Sequence, residues 1–218
     1  MTSPHYLTRR GAVALGVGLA ALAARPAFAE DLEERGYALG DVVLGQADAP
    51  VTIVEYLSLT CPHCAHFHEE SYPEIKAKYI DTGKAKMIVR EIYFDQFGLW
   101  SSMTARCGGE MGYYRLIDSF LSRQQTWYLD HVRAFNETKN PQPIIGEMKK
   151  IGRLAGLSNE RMDACLGDQD FLERLVKDFQ TTSGEDEVRS TPTFFVNGER
   201  VEGAISAEAM AAEIDKHL

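Results

Sequence analysis

Val51-Thr52-Ile53-Val54-Glu55-Tyr56-Leu57-Ser58-Leu59-Thr60-Cys61-Pro62-His63-Cys64 is the stretch on which the fold turns. Its first seven residues are β-branched, aromatic or apolar except for Glu55, the pattern of a strand covered on both faces. Pro62 suits the first turn of a helix, where a missing N–H costs nothing. Cys61 then lies at or just before a helix N-terminus. The free N–H groups and positive dipole end there favour a thiolate over a thiol. Cys64 falls one turn inside, more buried and less ionised. His63 offers a positive charge or a donor near Cys61. This spacing points to a redox dithiol, with Cys61 attacking and Cys64 resolving. Two other readings fit a lone Cys-x-x-Cys, namely a structural disulfide and half of a zinc site. Zinc needs four ligands; His63, His66 and His68 are near, but Cys107 and Cys165 stand alone.

The chain upstream bears on that choice. Arg9 and Arg10 precede the small, apolar run from Gly11 to Ala24, and Ala27-Phe28-Ala29 is a small-x-small cleavage pattern. Residues 1–29 therefore read as a signal peptide cleaved after Ala29. At about 14 residues the apolar run is short for a membrane span. Export places the cysteines in an oxidising compartment, where pairs tend to be disulfides. It also removes Arg9, Arg10 and Arg25 and no acid, taking the net charge of −9 to about −12. Such an acidic surface argues against nucleic acid. With 218 residues, 44% of them hydrophobic, the chain has enough apolar material for a core.

Downstream, Glu30 to Gly40 reads as a charged leader, Asp41 to Gly45 as a short edge strand, and Ala85 to Tyr93 as a second long strand. The helix that opens at the cysteine pair should extend to about Tyr79 and break near Pro73. From Gln96 to Gly184 the apolar residues recur at helical spacing, as in Leu116, Ile117, Phe120 and Leu121, in Ile144, Ile145, Met148, Ile151 and Leu154, and in Phe171, Leu172, Leu175, Val176 and Phe179. Gly156 should close one helix and Ser158 cap the next. After Thr191-Pro192 the period returns to two, with Asn197-Gly198 marking a hairpin between Thr193–Val196 and Arg200–Glu202. A last helix starts near Ser206.

Two segments together resemble a known family. Glu55 to Cys64, ending in Cys-Pro-His-Cys, resembles the active-site strand and helix of the DsbA-like thioredoxin-fold proteins. Thr191-Pro192-Thr193-Phe194-Phe195-Val196-Asn197-Gly198 resembles that family's second signature, and the helical block between resembles its inserted domain. The resemblance implies an α/β thioredoxin-like fold, with residues 30–95 and 185–218 forming the thioredoxin-like domain and 96–184 an inserted helical domain. It implies that Thr191-Pro192 is a cis peptide facing the cysteines and offering its backbone to an extended substrate strand. Glu55, six residues before Cys61, takes the place of an acid that sits beneath the pair and moves protons. The family's second acid would fall at His68, so that role does not carry over, and His66 and His68 read as surface residues.

The implied activity is donation of the Cys61–Cys64 disulfide to unfolded exported polypeptides in the periplasm, without a bound cofactor or metal. Reoxidation would fall to a DsbB-type membrane partner. A disulfide isomerase or reductase is the alternative, because Thr191 also occurs in isomerase-type relatives, and a metal-delivery protein is a more distant one. Isomerase relatives often carry a dimerisation domain ahead of the fold, and about 20 residues precede the first strand here, so a monomer is expected. Cys107 and Cys165 are expected to pair as a structural disulfide. A loop of about 58 residues would gain roughly 4 kcal/mol from such closure in the chain-entropy account.

Overall fold

A computed structural model describes residues 32–201 and 206–218. The signal-peptide reading of residues 1–29 lies outside them. Five strands form one mixed sheet in the order β1-β3-β2-β4-β5. They are β1 (Val43–Leu44), β2 (Val51–Leu57), β3 (Ala85–Glu91), β4 (Thr193–Val196) and β5 (Glu199–Val201). β2 is central, parallel to β3 and antiparallel to β4. Val51, Ile53, Tyr56 and Leu57 are buried, as is Glu55, as expected for a strand covered on both faces. β1 is an antiparallel edge strand on β3. β4 and β5 are joined by Asn197 and Gly198, both at positive φ (49° and 86°), the twist that a two-residue hairpin requires.

β2 feeds α1 (Pro62–Glu70), with Cys61 as its N-cap residue and Pro62 in its first turn. The helix breaks at Ser71, and α2 (Tyr72–Ile75) restarts with Pro73 in its first turn, followed by a π-helical turn over Lys76–Ile80. A proline lacks the N–H that a continuous helix would need, so the break expected near Pro73 comes two residues earlier. β3 ends at Glu91, two residues short of the sequence reading.

Between β3 and β4 the described chain is helical: α3 (Gln96–Cys107), α4 (Gly109–Ser122), a π-helical turn (Gln125–Leu129), α5 (Asp130–Thr138), α6 (Gln142–Leu154), α7 (Asn159–Leu166) and α8 (Gln169–Glu185); after β5 comes α9 (Ala207–Asp215). α3, α7 and α9 are capped by side chains. Asp95 accepts from the N–H groups of Phe97 and Gly98, Ser158 from Arg161, and Ser206 from Ala209. The buried stripes are Leu116, Ile117, Phe120 and Leu121; Ile144, Met148 and Ile151; and Phe171 and Leu175. Leu154 departs from its stripe and is 72% exposed. It is the last residue of α6, where no further element covers it.

The segment read as a charged leader is docked. Leu32, Tyr37 and Ala38 are buried, Tyr37 stacks on Phe171 at 4.2 Å, and Arg35 pairs with Asp168 at 2.6 Å. Cys107 and Cys165 form a disulfide, their Cα atoms 6.2 Å apart, within a cluster that includes Leu32, Tyr37, Met103 and Phe171.

The buried ion pair Arg106–Glu91 ties α3 to the end of β3. Nε donates to Oε1 at 2.8 Å and Nη2 to Oε2 at 2.5 Å, while Nη1 donates to the carbonyls of Ala38 and Gly40. Each charge is matched and every carboxylate oxygen is used. Removing one partner would strand the other in the core. Arg106→Ala is therefore expected to cost about 3–5 kcal/mol of unfolding free energy, read from denaturant titration; a loss under about 1 kcal/mol would contradict this account.

Candidate functional site

β2 and β4 set the site. Glu55 is opposite Phe194 and Tyr56 opposite Thr193, so the residues just before β4 lie beside the loop that leaves β2. Those residues are Thr191 and Pro192, joined by a cis peptide. The Sγ of Cys61 is 3.5 Å from the carbonyl oxygen of Thr191. Cys61 is 9% exposed and Cys64 is fully buried, and both are free thiols.

The two sulfurs differ as helix placement demands. Hydrogen bonding from the Cys64 thiol outweighs burial, and with contributions from Thr191 and the backbone N–H groups of Cys64 and His63 it lowers the Cys61 thiol from 9.0 to about 5. Burial drives Cys64 far upward, reinforced by its bond to Cys61 and by the charge of Glu55. At neutral pH the reduced site therefore holds one thiolate and one thiol hydrogen-bonded to it. His63 takes part through its backbone, while its ring and Pro62 are on the exposed side of α1.

The loop from Ser58 to Cys61 is held from the helical segment. Gln124, 3% exposed, donates from Nε2 to the carbonyls of Leu59 (2.8 Å) and Cys61 (3.0 Å). Asp95, besides capping α3, accepts from Thr60 Oγ1 at 2.9 Å and from the Tyr128 hydroxyl at 3.3 Å. The sequence reading missed both. Asp95 had a local signal as an Asp before an apolar helical run, whereas nothing local marks Gln124.

Glu55 is 0% exposed, with Oε2 2.9 Å from Nε2 of His68. The expectation that His68 is a surface residue is corrected by this contact, since its side chain is only 6% exposed. His68 is seven residues after Cys61, two turns along α1, on the face that meets β2. His66 is exposed as expected. Among the described residues no group of three or more His, Cys, Asp or Glu side chains is placed to hold a metal.

A thiol pKa lowered on folding stabilises the folded reduced state. That contribution is full above about pH 9, shrinks as pH falls, and is gone below about 5. The thermal stability of the reduced protein relative to the oxidised one is expected to rise between these values. Thiolate absorbance should titrate with a midpoint near 5 and vanish in Cys61→Ser; a midpoint near 9 would contradict the assignment.

Comparison with known proteins agrees with this geometry. The family model described as thioredoxin matches residues 38–216. A protein of Rickettsia bellii named as a protein-disulfide oxidoreductase is 35% identical over 179 residues, covering 82% of this chain and 64% of that protein, so the chain spans less than two thirds of that relative. Disulfide bond formation protein D of Bacillus subtilis is 26% identical over 179 residues, covering 82% and 78%. The crystal structure of Wolbachia pipientis alpha-DsbA1 superposes with a TM-score of 0.72 at 27% identity, covering 82% of this chain and 90% of that one. With the sheet order, the paired cysteines and the helical segment between β3 and β4, these matches show that the chain belongs to the thioredoxin family, in its DsbA-like group.

Proposed function

We propose that the chain is an exported, periplasmic thiol:disulfide oxidoreductase that donates the Cys61–Cys64 disulfide to folding polypeptides. The observation that carries this reading is the asymmetry of the two thiols at the N-terminus of α1, beside the cis Thr191-Pro192 peptide. A substrate thiolate attacks Sγ of Cys61, the Cys61–Cys64 bond breaks, and its electron pair goes to Cys64, which takes a proton. A second substrate thiolate then attacks the mixed disulfide at the substrate sulfur and releases Cys61 as the thiolate. The products are an oxidised substrate and a dithiol carrying one proton.

Thr191 and Pro192 present their backbone to the substrate strand. Glu55 exchanges protons with Cys64, and Pro62 and His63 shape the turn that holds Cys61. Cys107–Cys165 is structural. A quinone-linked membrane partner of the DsbB type would withdraw the electrons, and the chain works as a monomer. No helix of the described residues is long and apolar enough to cross a membrane.

The direction follows from magnitudes. Thioredoxin, with a nucleophile pKa near 7, has a potential of about −270 mV. Lowering that pKa to about 5 stabilises the reduced form at pH 7 by just over 2 kcal/mol. For two electrons that is about 50 mV toward the oxidant side. This shifts the pair from thioredoxin's value to about −220 mV, toward but short of the isomerase value of about −180 mV. Thr191 keeps isomerisation as the second reading.

Two measurements separate these readings. Equilibration with glutathione is expected to give a potential of about −220 mV, and a value near −270 mV would overturn the oxidant reading. Oxidised protein should convert a reduced two-cysteine peptide to its disulfide, with Cys61→Ala at background; preferential rearrangement of a scrambled disulfide would favour the isomerase.

A further inference from the structure

The reaction above leaves one requirement unmet by the cysteines alone. Cys64 must gain a proton whenever the disulfide opens and lose it whenever the disulfide closes, yet it is fully buried. Glu55 lies below it in β2, near enough for its charge to raise the Cys64 thiol. Glu55 is itself sealed from water, and its Oε1 is buried without a hydrogen-bond partner. A carboxyl group so enclosed needs a second group to renew its proton.

His68 is placed for that. Its two ring nitrogens face different surroundings. Nε2 meets Glu55 Oε2 at 2.9 Å in the core, and Nδ1 points toward Asp118 Oδ1 at 3.7 Å, too long for a direct hydrogen bond. Nδ1 is buried without a hydrogen-bond partner, although Asp118 is 47% exposed. The side chains of His68, Tyr72, Lys76, Arg115, Asp118 and Arg123 line an open cleft of about 660 Å³. His68 lies at the wall of this cleft with its side chain 6% exposed, and the Tyr72 ring packs against it with centroids 4.5 Å apart.

We infer that His68 is a positioning residue that relays protons between this cleft and Glu55, and through Glu55 to Cys64. The inference rests on the redox reading of Cys61–Cys64. When the disulfide opens, the Cys64 thiolate takes a proton by way of Glu55, and His68 supplies it from Nε2 and is left neutral with its remaining proton on Nδ1; a turn of the ring that brings Nε2 to the cleft side lets it take up a new proton. When the disulfide re-forms, the proton leaves by the reverse route. One proton enters when the disulfide opens and one leaves when it re-forms, and no oxidant or reductant enters beyond those of the redox reaction itself.

The surroundings of the ring agree. Burial disfavours its charge, but Glu55 and Asp118 outweigh that and raise His68 to about 9. Of the other ionisable groups nearby, Tyr72 in α2 is held as a neutral phenol by burial, as is Tyr114 in α4. Arg115 is engaged with the Ala155 carbonyl, and Glu69 and Lys76 border the cleft. At neutral pH the ring thus carries the proton the reaction needs.

The test is single-turnover reduction of the full-length oxidised protein by dithiothreitol, with rates expressed per dithiothreitol thiolate across pH. The unaltered protein is expected to slow as pH rises through about 9. His68→Gln, which keeps a donor for Glu55 but holds no exchangeable charge, should react at least about tenfold more slowly at neutral pH, below the usual range for general acid–base assistance, and lose that pH step. Asp118→Asn, at a half-exposed site that does not endanger folding, should move the step to lower pH. His66→Gln, on the exposed side of the same helix, should match the unaltered protein. Unchanged rates and an unmoved step in both His68→Gln and Asp118→Asn would overturn the relay. So would a uniform slowing of His68→Gln with the step retained. If the unaltered Cys61–Cys64 disulfide reacts no faster than one in an unfolded peptide, the redox reading itself falls, and that outcome is distinct from failure of the relay alone.

Discussion

The unpaired N–H groups at the start of α1 are the constraint from which the site follows. A helix leaves its first turn of donors without intrahelical partners, and the N-cap position here holds a sulfur. A thiolate is the form favoured there: the bond from the Cys64 thiol, which the first helical turn brings to Cys61, contributes most, and the backbone N–H groups of Cys64 and His63 add to it. To fix a sulfur there, the chain must leave a strand that cannot slip and enter a helix that cannot start elsewhere. β2 provides the first by being covered on both faces, since a one-residue slip would reverse every side chain. Pro62 provides the second, because a proline fits a first turn and is unwelcome deeper in a helix.

The helical segment between β3 and β4 belongs to this arrangement physically. Gln124 fixes two carbonyls of the Ser58–Cys61 loop, and Asp95 holds Thr60 while capping α3. Both lie far from the cysteines in sequence. The Cys61 carbonyl also accepts from the Ala65 N–H at 3.2 Å, so the carbonyl that depends on Gln124 is that of Leu59, and leaving it without a donor would cost about 1–3 kcal/mol. The segment thus closes the site's hydrogen bonding as well as covering the sheet.

What the sequence revealed and what it concealed divide along range. The strand Val51–Leu57, the caps Ser158 and Ser206 and the Asn197-Gly198 hairpin follow from local periodicity and turn chemistry, and each is found where that chemistry places it. Leu154 follows the same helical period but is exposed, because periodicity assigns a face and does not say where the covering element stops. His68 shows the opposite failure. Polar residues around it suggest a solvated helix face, yet the only acid in β2 lies across from it. A histidine's burial is decided by its partner, and partners 13 residues apart across a strand–helix packing leave no local signature.

The two buried acids near the site show how one residue type serves two purposes. Glu91 ends β3 with both oxygens taken by Arg106, a side chain that never gives up its charge. Nothing in that pair can exchange a proton, so its contribution is confined to holding α3 on the sheet. Glu55, in the neighbouring strand, has one oxygen engaged, one free, and a histidine as partner. An imidazole changes its charge within the range of physiological chemistry, where a guanidinium does not. Exchanging the partners would leave both acids neutralised but would remove the route for the proton. The arginine therefore belongs where the fold must be fixed, and the histidine belongs beneath the sulfur that must be protonated and deprotonated in every cycle.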